Sequence, residues 1–367
     1  MYFFKMLSFI LISSIIFAQE YSLESVDDCA ACHDEIVQQW QSSMHALSTL
    51  DKDVLYRGMY EWAKEDTKGK ITKKCKNCHT PYFYLSDTAL VTKEVRERSI
   101  DCLYCHSIDS LHLQPKFSKM KYAADDYDLS DYHTIQKRDH FENEKLCMLC
   151  HAELTNPNQV AICTTGDEFY NQNKNKIECQ SCHMPIVKGY KSAESDAVSD
   201  IHAHTFAGPH SEDFLKGSLK ISGKVNENKL TISIDNSKTP HSYPTGTPLR
   251  MVILKVIGFN KNGKIVYQNW QKNPVAEDKQ AIFARMFADE KGNMPSPPWR
   301  AAKVAHESRL KPGEIRAITY ELPQSVTKIT AKVFFQLAPI PILTKLKIDD
   351  PYLKTPHLID EITMELN

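Results

Sequence analysis

Apolar positions along this chain change their period twice. The chain opens with Lys5, an eleven-residue, largely apolar run from Leu7 to Phe17, and the small residue Ala18 just before Gln19. This layout predicts a secretory signal peptide over residues 1–18, since the run falls short of the ~20 residues a membrane span requires. Ile36, Val37, Trp40, Met44 and Leu47 then recur at helical spacing. Such runs stay short up to residue 210, which predicts an irregular, mainly α-helical module over residues 19–210. From residue 211 the period falls to two. LKISGKV and KLTISI flank the polar turn Asn226 to Asn228, and RMVILKVIGF turns through Asn260 to Gly263 into KIVYQNW. A less regular stretch from Gln271 to Pro312 precedes EIRAITYEL and KITAKVFFQL. About six short strands over residues 211–367 predict an antiparallel β-sandwich domain, so the fold class is mixed.

Composition narrows the function classes. With 45 Lys+Arg against 46 Asp+Glu, the 367-residue chain carries no net field that would gather a polyanion, so no nucleic-acid partner is expected. The 25% charged and 42% hydrophobic residues are those of an ordinary globular protein. Eleven cysteines in an exported chain would suggest a disulfide framework, but the number is odd and the chain is not short of core. Their spacing decides the matter.

Ten of the eleven fall in CAACH (Cys29, Cys32, His33), CKNCH (Cys75, Cys78, His79), CLYCH (Cys102, Cys105, His106), CMLCH (Cys147, Cys150, His151) and CQSCH (Cys179, Cys182, His183). Two thiols three positions apart on a helical turn can add to the two vinyl groups of a porphyrin edge, and the adjoining imidazole then faces the iron. Zinc sites and thioredoxin-like pairs also use C-x-x-C, but neither calls for a His directly after every pair. Five covalently attached c-type haems are therefore expected, with His33, His79, His106, His151 and His183 as proximal ligands. So little chain cannot wrap each macrocycle separately, so the haems must share one core. The eleventh cysteine, Cys163, reads as a buried inert thiol.

What a haem does depends on the far side of its iron: a second His favours electron transfer, an open position favours binding. Ten histidines lie outside the motifs, enough to fill every sixth position. The candidate distal ligands are His45 after the first helix, His112 just past the third motif, His133 ahead of the fourth, His204 in IHAHTFAGPH and His241 in KTPHSYPTGTPLR. In that last segment Pro240, Pro244 and Pro248 stiffen the loop. His140, His202 and His210 are weaker candidates. His306 and His357 read as surface residues. Arg250, closing the same loop, is a candidate counter-charge for a haem propionate.

The sequence resembles the multihaem c-type cytochromes typified by the tetrahaem carrier that takes electrons from hydroxylamine oxidoreductase. The resemblance rests on CAACH followed by QQWQSSMHALS, on CTTGDEFY leading into ECQSCHMP, on HTFAGPH, and on PHSYPTGTPLR with RLKPGE further on. It implies distal roles for His45 and His204. The fifth motif and the long C-terminal domain depart from the tetrahaem pattern, so that family's haem order and ligand pairing are not carried over.

The expected function is an exported electron carrier, periplasmic or at the cell surface, that exchanges electrons with redox partner proteins. One alternative is a multihaem reductase or oxidase of a small nitrogen or sulfur species with one open haem. Pentahaem nitrite reductases attach their catalytic haem through C-x-x-C-Lys, whereas all five motifs here end in His. A second alternative is a haem-wired extracellular filament subunit. No Ser/His/Asp order, phosphate loop or carboxylate pair suggests another catalytic centre, and no catalytic residue is assigned.

Overall fold

A computed structural model describes residues 23–84, 92–111, 120–125, 127–129, 132–172 and 177–366. The expected signal peptide and His112 lie outside these residues. Among the described residues, no helix is long and apolar enough to cross a membrane.

The N-terminal part is built from short helices: α1 Val26–Ala30, α2 Asp34–Gln41, α3 Val54–Thr67, α4 Thr72–His79, α5 Lys93–Arg96, α6 Cys102–His106, α7 Met148–His151, α8 Thr165–Gln172 and α9 Cys179–His183. In α2, Val37 and Trp40 stand one turn apart and are both buried, and the Trp40 indole N–H donates to the Ile100 carbonyl at 2.9 Å. Asp53 caps α3 by accepting the N–H groups of Leu55 and Tyr56, each at 2.9 Å. That helix stops at Lys68, which adopts a left-handed backbone at φ 51°.

Small sheets interrupt these helices, so the mainly helical expectation needs amending. Strands β1 Met120–Ala123, β2 Tyr127–Leu129 and β3 His133–Lys137 form a sheet in the order β1-β3-β2, while β4 Leu154–Thr155 pairs with β5 Ala161–Cys163, and β6 Ile186–Gly189 with β7 Ser199–His202. None of the seven exceeds five residues. That is too short for a period of two to stand out in sequence.

The C-terminal part holds β8 Lys220–Asn226, β9 Lys229–Asp235, β10 Met251–Phe259, β11 Ile265–Gln268, β12 Ile282–Ala288, β13 Lys303–Glu307, β14 Ile315–Glu321, β15 Lys328–Gln336 and β16 His357–Glu365. One sheet runs β13-β12-β10-β15-β16 with β11 also on β10, a second runs β14-β9-β8, and every pairing is antiparallel. Both expected hairpins are present, turning at Glu227 and Gly263 with positive φ. Strands β12, β13 and β16 go beyond the six expected. Ile282, Phe283 and Ala284 of β12 are all buried, so that strand carries no alternation to read.

The two halves differ sharply in aliphatic core. Leu230, Ile232, Ile234 and Ile318 of the smaller sheet join Leu254, Val256, Val333 and Phe335 of the larger in one extended cluster. The N-terminal cluster contains only Leu23, Tyr82, Leu103, Tyr104 and Ile108 as fully buried members.

Polar and aromatic contacts join the halves. Asn156, 1% exposed, donates through Nδ2 to the carbonyls of Pro298 at 2.9 Å and Ala301 at 2.7 Å. Asp66 accepts the Trp299 indole N–H at 2.6 Å and pairs with Arg300. The Trp62 ring meets Trp299 edge-on at 5.0 Å.

Candidate haem-binding sites

Each C-x-x-C-H stretch folds as a helical turn. The His33 N–H donates to the Cys29 carbonyl at 2.8 Å and the His151 N–H to that of Cys147 at 2.9 Å, while Cys75–His79, Cys102–His106 and Cys179–His183 lie within α4, α6 and α9. At this pitch the thiols at positions one and four and the imidazole at five project to the same side. Local capping fixes the turns. Asp101, 2% exposed, receives the Tyr104 N–H at 2.9 Å, the Tyr82 hydroxyl at 2.5 Å and the Arg98 Nε at 2.8 Å, which anchors the start of α6.

Four of the five proximal imidazoles face a second imidazole. Ring centroids lie 6.2 Å apart for His33 and His133, 6.3 Å for His45 and His151, and 6.4 Å both for His106 with His204 and for His183 with His241. Two metal–nitrogen bonds of about 2 Å, plus about 1.1 Å from nitrogen to ring centre at either end, give about 6.2 Å. The four spacings thus suit one iron between each pair of rings. They are far too long for direct stacking.

Hydrogen bonding points the same way. The Nδ1 atoms of His33, His106, His183, His204 and His241 contact the carbonyls of Lys191 (2.6 Å), Tyr122 (2.7 Å), Ala207 (2.6 Å), His202 (2.8 Å) and Ser242 (3.0 Å). A carbonyl only accepts, so each Nδ1 carries the proton and leaves the Nε2 lone pair free, the arrangement typical of metal-binding imidazoles. Burial, reinforced by the neighbouring His151 and His183, pushes His45 down to about 3. Burial likewise lowers His151 and His204 to about 4. The neutral form so favoured is the one that binds metal.

His79 departs from this pattern. Among the described residues no imidazole faces it, and the Tyr56 ring stacks flat against it at 3.8 Å and 10°; its buried Nδ1 has no partner, a feature it shares with His45 and His133. His112 lies outside the described residues. Of the weaker candidates, His140 has its Nε2 engaged by the Ile108 carbonyl at 3.0 Å, whereas His202 turns Nδ1 to the Met184 carbonyl at 2.8 Å and the His210 ring centroid lies 6.2 Å from that of Tyr352. His306 Nε2 contacts the Ser308 hydroxyl at 2.9 Å. His357, expected at the surface, is instead 4% exposed and bonded to the Tyr352 carbonyl, because β16 closes the larger sheet there.

The attachment turns lie side by side. The thiols of Cys29 and Cys102, of Cys78 and Cys150, and of Cys147 and Cys179 interact directly, and the charge of Cys147 acts on Cys105. The first turn therefore adjoins the third, the third the fourth, and the fourth both the second and the fifth. Among the described residues, no three His, Cys, Asp or Glu side chains converge on a bare-ion site.

Sequence reasoning missed Glu168. Its carboxylate, at the heart of CTTGDEFY, accepts the Ser242 N–H and the Thr245 hydroxyl, each at 3.0 Å, and pairs with Arg309 at 2.8 Å. Leu310 exchanges backbone hydrogen bonds with Tyr243. CTTGDEFY, PHSYPTGTPLR and RLKPGE therefore meet at one place, and together they present His241. Their shared resemblance to one family was the available signal, though not their contact.

The family model for cytochrome c554 and c-prime matches residues 28–107. The structure is similar to a penta-heme cytochrome c552 from Thermochromatium tepidum, with a TM-score of 0.78 and 25% identity over 94% of this chain and 99% of that one. A hypothetical protein from Pyrococcus horikoshii OT3 aligns with a TM-score of only 0.18 and carries no argument. No curated protein matches the chain significantly. With a whole-chain likeness of that depth and a family match across the first three attachment turns, the chain is a multihaem c-type cytochrome.

Proposed function

We propose that this protein is an exported five-haem electron carrier in which His33/His133, His151/His45, His106/His204 and His183/His241 ligate four of the irons. The observation that carries the reading is the set of four imidazole pairs at 6.2–6.4 Å. Bound haems supply reversible one-electron chemistry at iron, at potentials set by axial ligands, burial and nearby charge. The chain's part is to hold the imidazoles as Nε2 donors and to keep the attachment edges adjacent. The penta-heme neighbour supports the count of five. The signal-like segment over residues 1–18 supports export, to the periplasm or cell surface. Redox partner proteins follow from the carrier role.

A second reading, reduction or oxidation of a small nitrogen or sulfur species, is favoured by His79 alone, which no described imidazole faces. Electron paramagnetic resonance of the oxidised protein, with haem quantified, separates the two. Five low-spin haems that ignore added nitrite or hydroxylamine support the carrier. One high-spin signal that shifts on addition moves the catalytic reading to first place and locates it at His79.

A further inference from the structure

Arg250 is an interior cation without an anion. Its guanidinium Nη1 donates to the Thr245 carbonyl at 3.0 Å, and among the described residues it pairs with no carboxylate. The groups acting on it are Cys163 and Tyr243, and desolvation lowers its basicity. Its surface is half-buried. Leaving a desolvated charge unpaired is costly, and native structures supply a counter-ion.

Its surroundings identify that counter-ion. The Arg250 charge acts on His210 and on His151, His183 and His241, the last three being imidazoles of the fourth and fifth candidate sites. The loop holds the guanidinium there. Gly246 has φ 82°, a backbone conformation that favours glycine, and a Cβ there would stand 2.7 Å from Arg250 Nη1, so the guanidinium lies close over its own loop. Glu168 could have served as partner, but it is already committed to Ser242, Thr245 and Arg309.

We infer that Arg250 is a carboxylate-binding residue that clamps a propionate of the haem held by His183 and His241, and so sets that haem's potential from the C-terminal part of the chain. The inference rests on the five-haem reading. A planar guanidinium suits a carboxylate bidentately, and a positive charge beside a haem favours the reduced state.

The test is a potentiometric titration of the fully haem-loaded protein, wild type against Arg250→Gln and Arg250→Lys. Arg250→Gln is expected to lower one midpoint by about 59 mV, a tenfold change in a one-electron equilibrium, and Arg250→Lys to recover most of that. Midpoints that are all unchanged in Arg250→Gln overturn the inference. If Arg250→Gln does not accumulate with haem, the oxidised-minus-reduced infrared spectrum of Arg250→Lys decides: shifted carboxylate bands support the clamp, and a spectrum superimposable on wild type overturns it. A wild-type mass short of five haems would instead defeat the functional reading, which keeps the two failures apart.

Discussion

The imidazoles of His183 and His241 face each other with ring centroids 6.4 Å apart, one in the last attachment turn and the other in a loop between β9 and β10. The C-terminal part therefore reaches into the cofactor region rather than merely capping it. The His241 ring is oriented by the Ser242 carbonyl, and the Ser242 N–H by Glu168, so a carboxylate on α8 sets the placement of an imidazole far along the chain.

Removing that imidazole should be visible spectroscopically. In His241→Ala, one low-spin haem is expected to become high-spin and to bind small ligands, with the other signals unchanged. An unaltered low-spin count in the resonance spectrum would exclude His241 as a ligand.

Glu168→Gln should loosen the same loop. Arg309, only 10% exposed at its side chain, would lose one of its two carboxylates, and the Ser242 N–H and Thr245 hydroxyl would lose a charged acceptor. Breaking such a network costs about 2–4 kcal/mol. A thermal melt should show the loss together with partial high-spin character. A melting temperature within error of wild type would mean the network is dispensable.

At the seam between the halves, Asn156→Ala would take a side-chain donor from the Pro298 carbonyl and leave that of Ala301 with Asn158 Nδ2 alone. A cost of about 1–3 kcal/mol is expected, read from denaturant unfolding, with haem spectra intact. Altered spectra would show that the seam also shapes the cofactor sites.

Withholding haem should affect the halves unequally. The N-terminal aliphatic cluster is small and the C-terminal one large, so chain produced without haem attachment should be trimmed by protease to the β region. Equal resistance of both halves would show that the N-terminal part holds itself together without porphyrin as packing material.

What could be read from sequence follows from how local each signal is. C-x-x-C-H is contained in five residues, and the β8–β9 and β10–β11 hairpins are announced by alternation and turn chemistry, so all were legible. His45, His133, His204 and His241 were legible as candidates, but their partners were not, because His45 meets His151 and His33 meets His133 across long stretches of chain. Strand β12 hid because both its faces are covered. Tyr56 is buried on α3, and nothing local in the sequence discloses that its ring lies on His79.

The crossing of these pairs bears on how the molecule is made. A polypeptide is delivered from its N-terminus, yet His33 looks to His133, His106 to His204 and His183 to His241, while His45 waits for His151. If those pairs hold irons, the three at His33, His106 and His183 await a later axial nitrogen, and a chain halted just before His204 leaves two of them, at His106 and His183, half-coordinated. Completion of the last loop is then recorded in the colour and magnetism of the last attachment turn, so an interrupted product carries a spectral signature of where it stopped.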